Sequence, residues 1–321
     1  MRNAFLGAAL LLASAAAVAQ QYPTRPVTML VPYAAGGPTD TVARVVGQAM
    51  GKPLGQTIVV ENRPSAGGIL APEAVKNAKP DGYTILIHHI GMATTPALYR
   101  QLRFNPLTDF DYIGLINDVP MTLIARQNFP AKDFKEFLAY IKANKDKVSY
   151  ANAGIGAASH LCGMLFMSAI QTEILTVPYK GTAPAMNDLL GGTVDFMCDQ
   201  TTNTMNQIKS GKVKVYAVTS KKRVPSLPDV PTLDERGLKG FEVGIWHGLY
   251  APKGTPKPVI DKLVAALQAA LKDDTVNKRF ADLGAQAYPA DKATPAALGA
   301  HLKAEIAKWG PIIKKAGVYA D

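Results

Sequence analysis

The sequence predicts an α/β protein of two lobes with a cleft between them, and three observations carry the prediction. Short apolar strands alternate with helical segments along most of the chain, as parallel βα units require. Glycine-rich loops at residues 33–40 and 154–159 each sit between a strand and a helix, where open α/β sheets bind ligands. The elements also group so that residues 20–119 and 230–321 form lobe 1 and residues 120–229 form lobe 2. A chain that leaves a lobe and returns makes several crossovers, and the cleft beside them is a natural ligand site.

The start of the chain is an export signal. Arg2 gives a positive charge, an apolar and small-residue run follows, and Ala17-Val18-Ala19 supplies the small-x-small cleavage pattern, with Gln20 first in the mature protein. A membrane anchor is the alternative, but the run is short against the roughly 20 residues a span needs and ends without a charged flank. Removal of residues 1–19 leaves 302 residues, enough for two medium domains in a soluble protein destined for the periplasm. The formal charge of +10 falls to +9 with the loss of Arg2. The lysines are spread through amphipathic segments without interleaved aromatics, so a nucleic-acid partner is not expected, while a small anion agrees with the surplus.

Taken in order, residues 26–31 read as a strand broken by Pro32, and a helix follows from Thr39 or Asp40 to Met50. Residues 56–61 are a strand, 70–77 a short helix and 83–87 a third strand. The grammar repeats centrally, with strands at 121–125, 148–151, 174–177, 194–198 and 213–219. Helices follow at 133–142, from His160, at 183–190 and beyond Thr204. The last third holds a segment around Trp246 and two amphipathic helices, 258–273 and 295–317, whose apolar residues recur every three and four positions.

The two glycine loops carry the candidate chemistry. In the first, Tyr33, Ala34, Ala35, Gly36, Gly37, Pro38, Thr39 and Asp40 bend the backbone so that amides converge at a helix N-terminus, a setting for a carboxylate. Asp40 either caps that helix or orients a ligand ammonium or water. In the second, Ala157, Ala158 and Ser159 offer amides and a hydroxyl for a second carboxylate. Neither loop matches the Gly-x-Gly-x-x-Gly dinucleotide fingerprint. Asp199, just past an apolar strand, can meet an ammonium or hydroxyl, with Thr202 beside it, and His89 is a further donor toward the cleft. The sequence lacks a Gly-x-Ser-x-Gly elbow and a His-Glu-x-x-His helix, which argues against an exported hydrolase. No cofactor or metal is called for. The two cysteines, Cys162 and Cys198, are too few for a multi-thiolate zinc site, and either pair or pack as free core thiols.

Segments such as YPTRPVTMLVPYAAGGPTDTVAR, VVENRPSAGGILA, KPDGYTIL, SYANAGIGAASH, VPYKGTAPAMNDLLGG, VDFMCDQTTNT and IWHGLYAPKGTP occur in order over residues 22–260. In these the chain resembles the Bug-type (Bordetella uptake gene) extracytoplasmic solute receptors, the binding components of tripartite tricarboxylate transporters. The resemblance implies a monomeric type II periplasmic binding protein, two lobes closing on a carboxylated solute like a Venus flytrap, with integral membrane transporter subunits as partners. It carries ligand contacts onto the loop from Tyr33 to Asp40, onto Ala157, Ala158, Ser159 and Asp199, and more weakly onto His89 and Thr202. HLCG and FMCD are similar to the branch that includes aspartate-binding members, which implies a Cys162–Cys198 disulfide and makes an amino-dicarboxylate a candidate ligand. A sensory receptor with the same pocket is the alternative function.

Overall fold

A computed structural model describes residues 22–320, so the expected signal peptide and its cleavage point after Ala19 lie outside the described residues. Strand β1 (Val27–Val31) pairs in parallel with β2 (Ile58–Asn62) and β3 (Thr84–His89), and α1 (Pro38–Leu54) and α2 (Leu70–Lys76) make the connections. β1 and β3 are mostly buried on both faces because helices cover them, as parallel strands require, whereas β2 at the sheet edge leaves Val59 and Glu61 exposed. Helix α1 begins with Pro38, whose missing N–H costs nothing at a helix start, and ends at Gly55 in the left-handed conformation. Helix α3 (Gly91–Leu98) follows β3 directly; its apolar content shows no one-sided periodicity, because almost every residue is buried.

The next strand, β4 (Phe110–Arg126), is long and belongs to both halves of the molecule. Its first part, Phe110 to Pro120, pairs antiparallel with β9 (Gly244–Pro252), which in turn pairs with β3. From Met121 onward it pairs instead with β7 (Phe196–Gln200) and β8 (Val213–Val218). The change of partners falls at Pro120, which has no N–H to give a ladder. The second half repeats the parallel pattern: β5 (Ser149–Asn152) lies between β6 (Leu175–Pro178) and β7. Helices α4 (Phe134–Ala143), α5 (Ala158–Ile170), α6 (Thr182–Gly191) and α7 (Thr201–Lys209) connect or flank these strands. The sheet is therefore mixed rather than purely parallel, because β4 runs antiparallel to β7, β8 and β9, and β9 antiparallel to β3.

Thr219 ties the crossovers together. Its hydroxyl donates to Val243 O (2.6 Å) and accepts from Met121 N (3.0 Å), so one buried side chain fixes β4 against the returning segment. The C-terminal part packs α8 (Lys257–Lys272), α9 (Asp274–Asp282) and α10 (Pro295–Ala316) onto the first half, with a short β10 (Gln286–Ala287) beside β4. Asp199 lies within β7 rather than just past it, and Thr201 and Thr202 open α7 rather than precede it. Gln200 is the reason: its extended backbone ends the strand and serves as the N-cap, leaving no loop between.

Candidate functional site

Strand ends and helix starts converge on one point. Around a small cavity lie Tyr33, Pro38, Thr39 and His89 from the first half, and Ala153, Ala157, Ala158, Ser159, Thr182, Asp199 and Gln200 from the second. Among the described residues, α1, α5, α6 and α7 all begin here, with N-caps Gly37, Ala157, Gly181 and Gln200, and none of the four has a side-chain cap. Elsewhere α4, α9 and α10 are capped by Asp133, Asp273 and Thr294 while α2, α3 and α8 are not, so it is the convergence of four open helix starts that marks this point. Uncapped helix starts leave N–H groups and positive dipole ends directed at the cavity, which favours an anion there.

The free donors are narrower than the two loops suggest. In the first loop, Ala34 N donates to Lys180 O (3.1 Å), Gly36 N to Asp40 Oδ2 (2.9 Å) and Gly37 N to Ala34 O (3.4 Å). Pro38 has no N–H, so the donors left at the start of α1 are the first-turn amides of Thr39 and Asp40. In the second loop Ala157 N is taken by Gly154 O (3.1 Å), leaving the Ala158 and Ser159 amides. Ser159 Oγ accepts from Ala153 N (2.9 Å), which frees its own proton for a ligand.

Asp40 is braced rather than presented. Arg44 grips it with two hydrogen bonds of 2.9 Å, and Asn62 adds one of 3.0 Å. Burial raises its pKa, but Arg44, the Gly36 N–H and Asn62 outweigh that and hold the carboxyl below the usual range. Its role here is to fix the first loop to α1. Ala34, Ala35, Gly36, Gly37 and Thr202 also lie off the cavity wall, although Gly37 is close behind it, facing Ala183 across the cleft.

Asp199 is the one carboxylate on the wall, and it is almost fully buried. It accepts from Asn203 Nδ2 (2.6 Å) and Gln200 N (2.8 Å). Burial pushes its carboxyl up to about 7, against the opposing pull of Asn203, the Gln200 N–H and the nearby Thr182 hydroxyl. The Thr202 hydroxyl and Gln200 Oε1 are buried with no hydrogen-bond partner, and the Thr182 hydroxyl has only the Asp199 carboxyl close by. Buried polar atoms left unpaired are costly, and Gln200 Oε1, on the wall beside Asp199, is placed to receive a donor from a polar ligand.

On the opposite wall, His89 stacks against Tyr33 with ring centroids 5.0 Å apart. His89 Nδ1 accepts from Gly91 N (2.9 Å), so the neutral ring carries its proton on Nε2 as a donor. Burial, reinforced by His88 and His247, holds its pKa well below the usual imidazole range. Thr39 is bonded to His247 behind the wall, at 3.3 Å.

The halves are closed on each other. Besides Ala34 N to Lys180 O, Gly67 N donates to Ala153 O (3.2 Å), Thr94 Oγ1 to Gly156 O (3.0 Å) and Tyr99 Oη to Ile155 O (2.8 Å). The cavity they enclose is about 20 Å3, room for about one water. A dicarboxylate needs the walls to part first. Larger hollows of about 650 Å3, beside α1 and β2, and 710 Å3, beside α5 and β6, gather no comparable set of helix starts. Cys162 and Cys198 are joined, with Cα atoms 6.2 Å apart. The bridge ties α5, which bears Ser159, to β7, which bears Asp199.

Sequence reasoning missed Ala153, Thr182 and Gln200. Gly181-Thr182 does repeat the pattern of a glycine just before a helix, which was the available signal; Gln200 had none.

A family model described as the tripartite tricarboxylate transporter family receptor matches residues 42–318. A UPF0065 protein of Agrobacterium vitis, encoded in the TAR-I ttuE-ttuC' intergenic region, is 52% identical over 296 residues, covering 92% of this chain and 86% of its own. The periplasmic binding protein BugD superposes with a TM-score of 0.91 at 59% identity, over 93% of this chain and 99% of that one. MatC of Rhodopseudomonas palustris, solved with bound malate, gives 0.88 at 42% identity, over 91% and 100%.

Proposed function

Because the chain belongs to the tripartite tricarboxylate transporter receptor family, whose members are solute-binding receptors, we propose that it captures a small amino-dicarboxylate such as aspartate in the periplasm and delivers it to integral membrane transporter subunits. The observation that carries the proposal is Asp199, one buried carboxylate set among four uncapped helix starts. The helix starts suit ligand carboxylates, and Asp199 suits an ammonium between them. The malate bound by the relative MatC agrees with a four-carbon dicarboxylate.

In this reading the Ala158 and Ser159 amides and the Ser159 hydroxyl hold one carboxylate. The first turn of α1 holds the other, beside His89 Nε2–H. Tyr33 forms the apolar wall. Ala34, Ala35, Gly36, Gly37 and Asp40 shape that first turn, while Asn203 braces Asp199 and Thr202 stands beside it at the start of α7. The lobes move as rigid units about Pro120 and Thr219. In the same reading the lobes divide at 119/120 and again near 243, which the bonds of Leu233 N to Val218 O and Val243 N to Thr219 O support. Closure shifts a population, so the ligand must bind the closed form better than the open one. The mature chain begins at Gln20 and acts as a monomer.

Calorimetric titration of unfolded-and-refolded mature protein with aspartate, glutamate, succinate and malate tests this. Aspartate is expected to bind at micromolar Kd or tighter and to exceed succinate. Equal or tighter succinate binding sinks the amine assignment, and no binding by any carboxylate to folded protein sinks the carboxylate assignment.

A further inference from the structure

We propose that the buried chain Asn117–His247–Thr39 sets the direction of the Thr39 hydroxyl proton, making His247 a specificity-determining positioning residue; the inference rests on the amino-dicarboxylate reading above. Asn117 and His247 are cross-strand partners on β4 and β9, beside a register irregularity between Leu115 and Asn117. Asn117 Oδ1 lies 2.9 Å from His247 Nδ1. In this amide orientation the carbonyl oxygen only accepts, so Nδ1 carries the ring proton, and Asn117 Nδ2 stays buried without a partner. The neutral ring has one N–H, and Nε2 is therefore an acceptor. Thr39 Oγ1 lies 3.3 Å from Nε2 and must donate its only proton there.

Two features hold this arrangement. All three residues are buried, with His247 at 0% exposure and Thr39 at 1%. His89 also packs against His247 at 5.9 Å between centroids, and it lies close to His88 in turn, so a positive charge within this histidine cluster is disfavoured. With its proton spent inward, Thr39 turns only lone pairs toward the cavity, whose other wall carries the Asp199 carboxylate. A ligand group between two acceptors has to be a donor. An ammonium fits, and a carboxylate or ether oxygen meets lone pairs on both sides. His247 touches no ligand; it acts by denying Thr39 the freedom to rotate and donate.

The test uses mature protein labelled with 15N in its imidazole rings, together with aspartate and succinate titrations of wild type, His247→Phe and Asn117→Asp. Nitrogen shifts are expected to show His247 protonated on Nδ1 and bare on Nε2. His247→Phe frees the Thr39 hydroxyl and is expected to cut the preference for aspartate over succinate about tenfold, the worth of one hydrogen bond. Asn117→Asp still accepts from Nδ1–H and is expected to keep that preference within about threefold. A His247 proton on Nε2, the result of a rotated Asn117 amide, overturns the proposal, and so does a folded His247→Phe protein with an unchanged preference. If His247→Phe does not fold, the wild-type tautomer decides. Wild-type protein alone separates the two failures: absence of any aspartate preference overturns the amino-dicarboxylate reading, and a proton on Nε2 with the preference intact overturns the relay.

Discussion

Asp199 makes ligand affinity depend on pH in opposite directions for ligands with and without an amine. Burial raises its pKa from 3.8 to about 7, which corresponds to about 4 kcal/mol in favour of the neutral acid. The ionised fraction then climbs from about a tenth at pH 6 to about nine-tenths at pH 8. Aspartate needs the ionised form to pair with its ammonium, so its affinity is expected to rise about tenfold across that interval. Succinate brings no positive charge to Asp199 and prefers the neutral acid, so its affinity is expected to fall by a comparable factor. Calorimetry at pH 6, 7 and 8, with Asp199→Asn as the comparison, reads both slopes. Asp199→Asn is expected to flatten them and to lose most of the aspartate affinity. Stability follows the same linkage. Between pH 4 and 7 the folded protein keeps a proton that the unfolded chain has released, so this group's contribution falls as pH rises and is fully lost above 7. Asp199→Asn should accordingly melt higher than wild type at pH 8 and alongside it near pH 4. A flat aspartate profile in wild type, or a slope that survives Asp199→Asn, would refute the reasoning, since the carboxylate would then be charged already or the titrating group would lie elsewhere.

Three further outcomes follow from the geometry. The Cys162–Cys198 bridge closes a loop of 36 residues in sequence separation, so its removal by Cys162→Ala with Cys198→Ala should cost about 4 kcal/mol in denaturant unfolding. It should also weaken ligand binding, because the bridge joins the elements bearing Ser159 and Asp199. Gly67 has a φ of +71°, and a Cβ there would overlap the Tyr99 hydroxyl and the Ile155 carbonyl in the closed form. Gly67→Ala should therefore weaken ligand binding at least about tenfold, with small-angle scattering showing a protein that stays extended when ligand is added. At Gly37 the backbone is ordinary and an added Cβ would sit 3.3 Å from Ala34 O and 3.9 Å from Ala183 Cβ. Gly37→Ala should keep binding within about threefold, whereas Gly37→Leu projects into Ala183 and should abolish it while melting near wild type.

The sequence by itself determined the alternation of strand and helix, the two glycine loops and the family, because all of these are written in local periodicity and contiguous motifs. Ser159, His89 and Asp199, which the fold places on the cavity wall, were legible as candidates for the same reason: each stands at a strand end or a helix start. The strand through Phe110 to Pro120 was not legible, since both its faces are buried and its apolar residues do not alternate. Nor was the fate of Asp40, whose neighbours suggest a cap or a ligand contact; only the fold brings Asn62 from β2 alongside Arg44 to claim the carboxylate. Gln200 and Thr182 reach the cavity because two strand ends from separate parts of the chain meet there. The proton on Thr39 was further still from view. Its direction depends on residues 78 and 208 positions away along the chain, brought together by the pairing of β4 with β9, and hydrogen-bond direction is a property of the assembled network rather than of any segment.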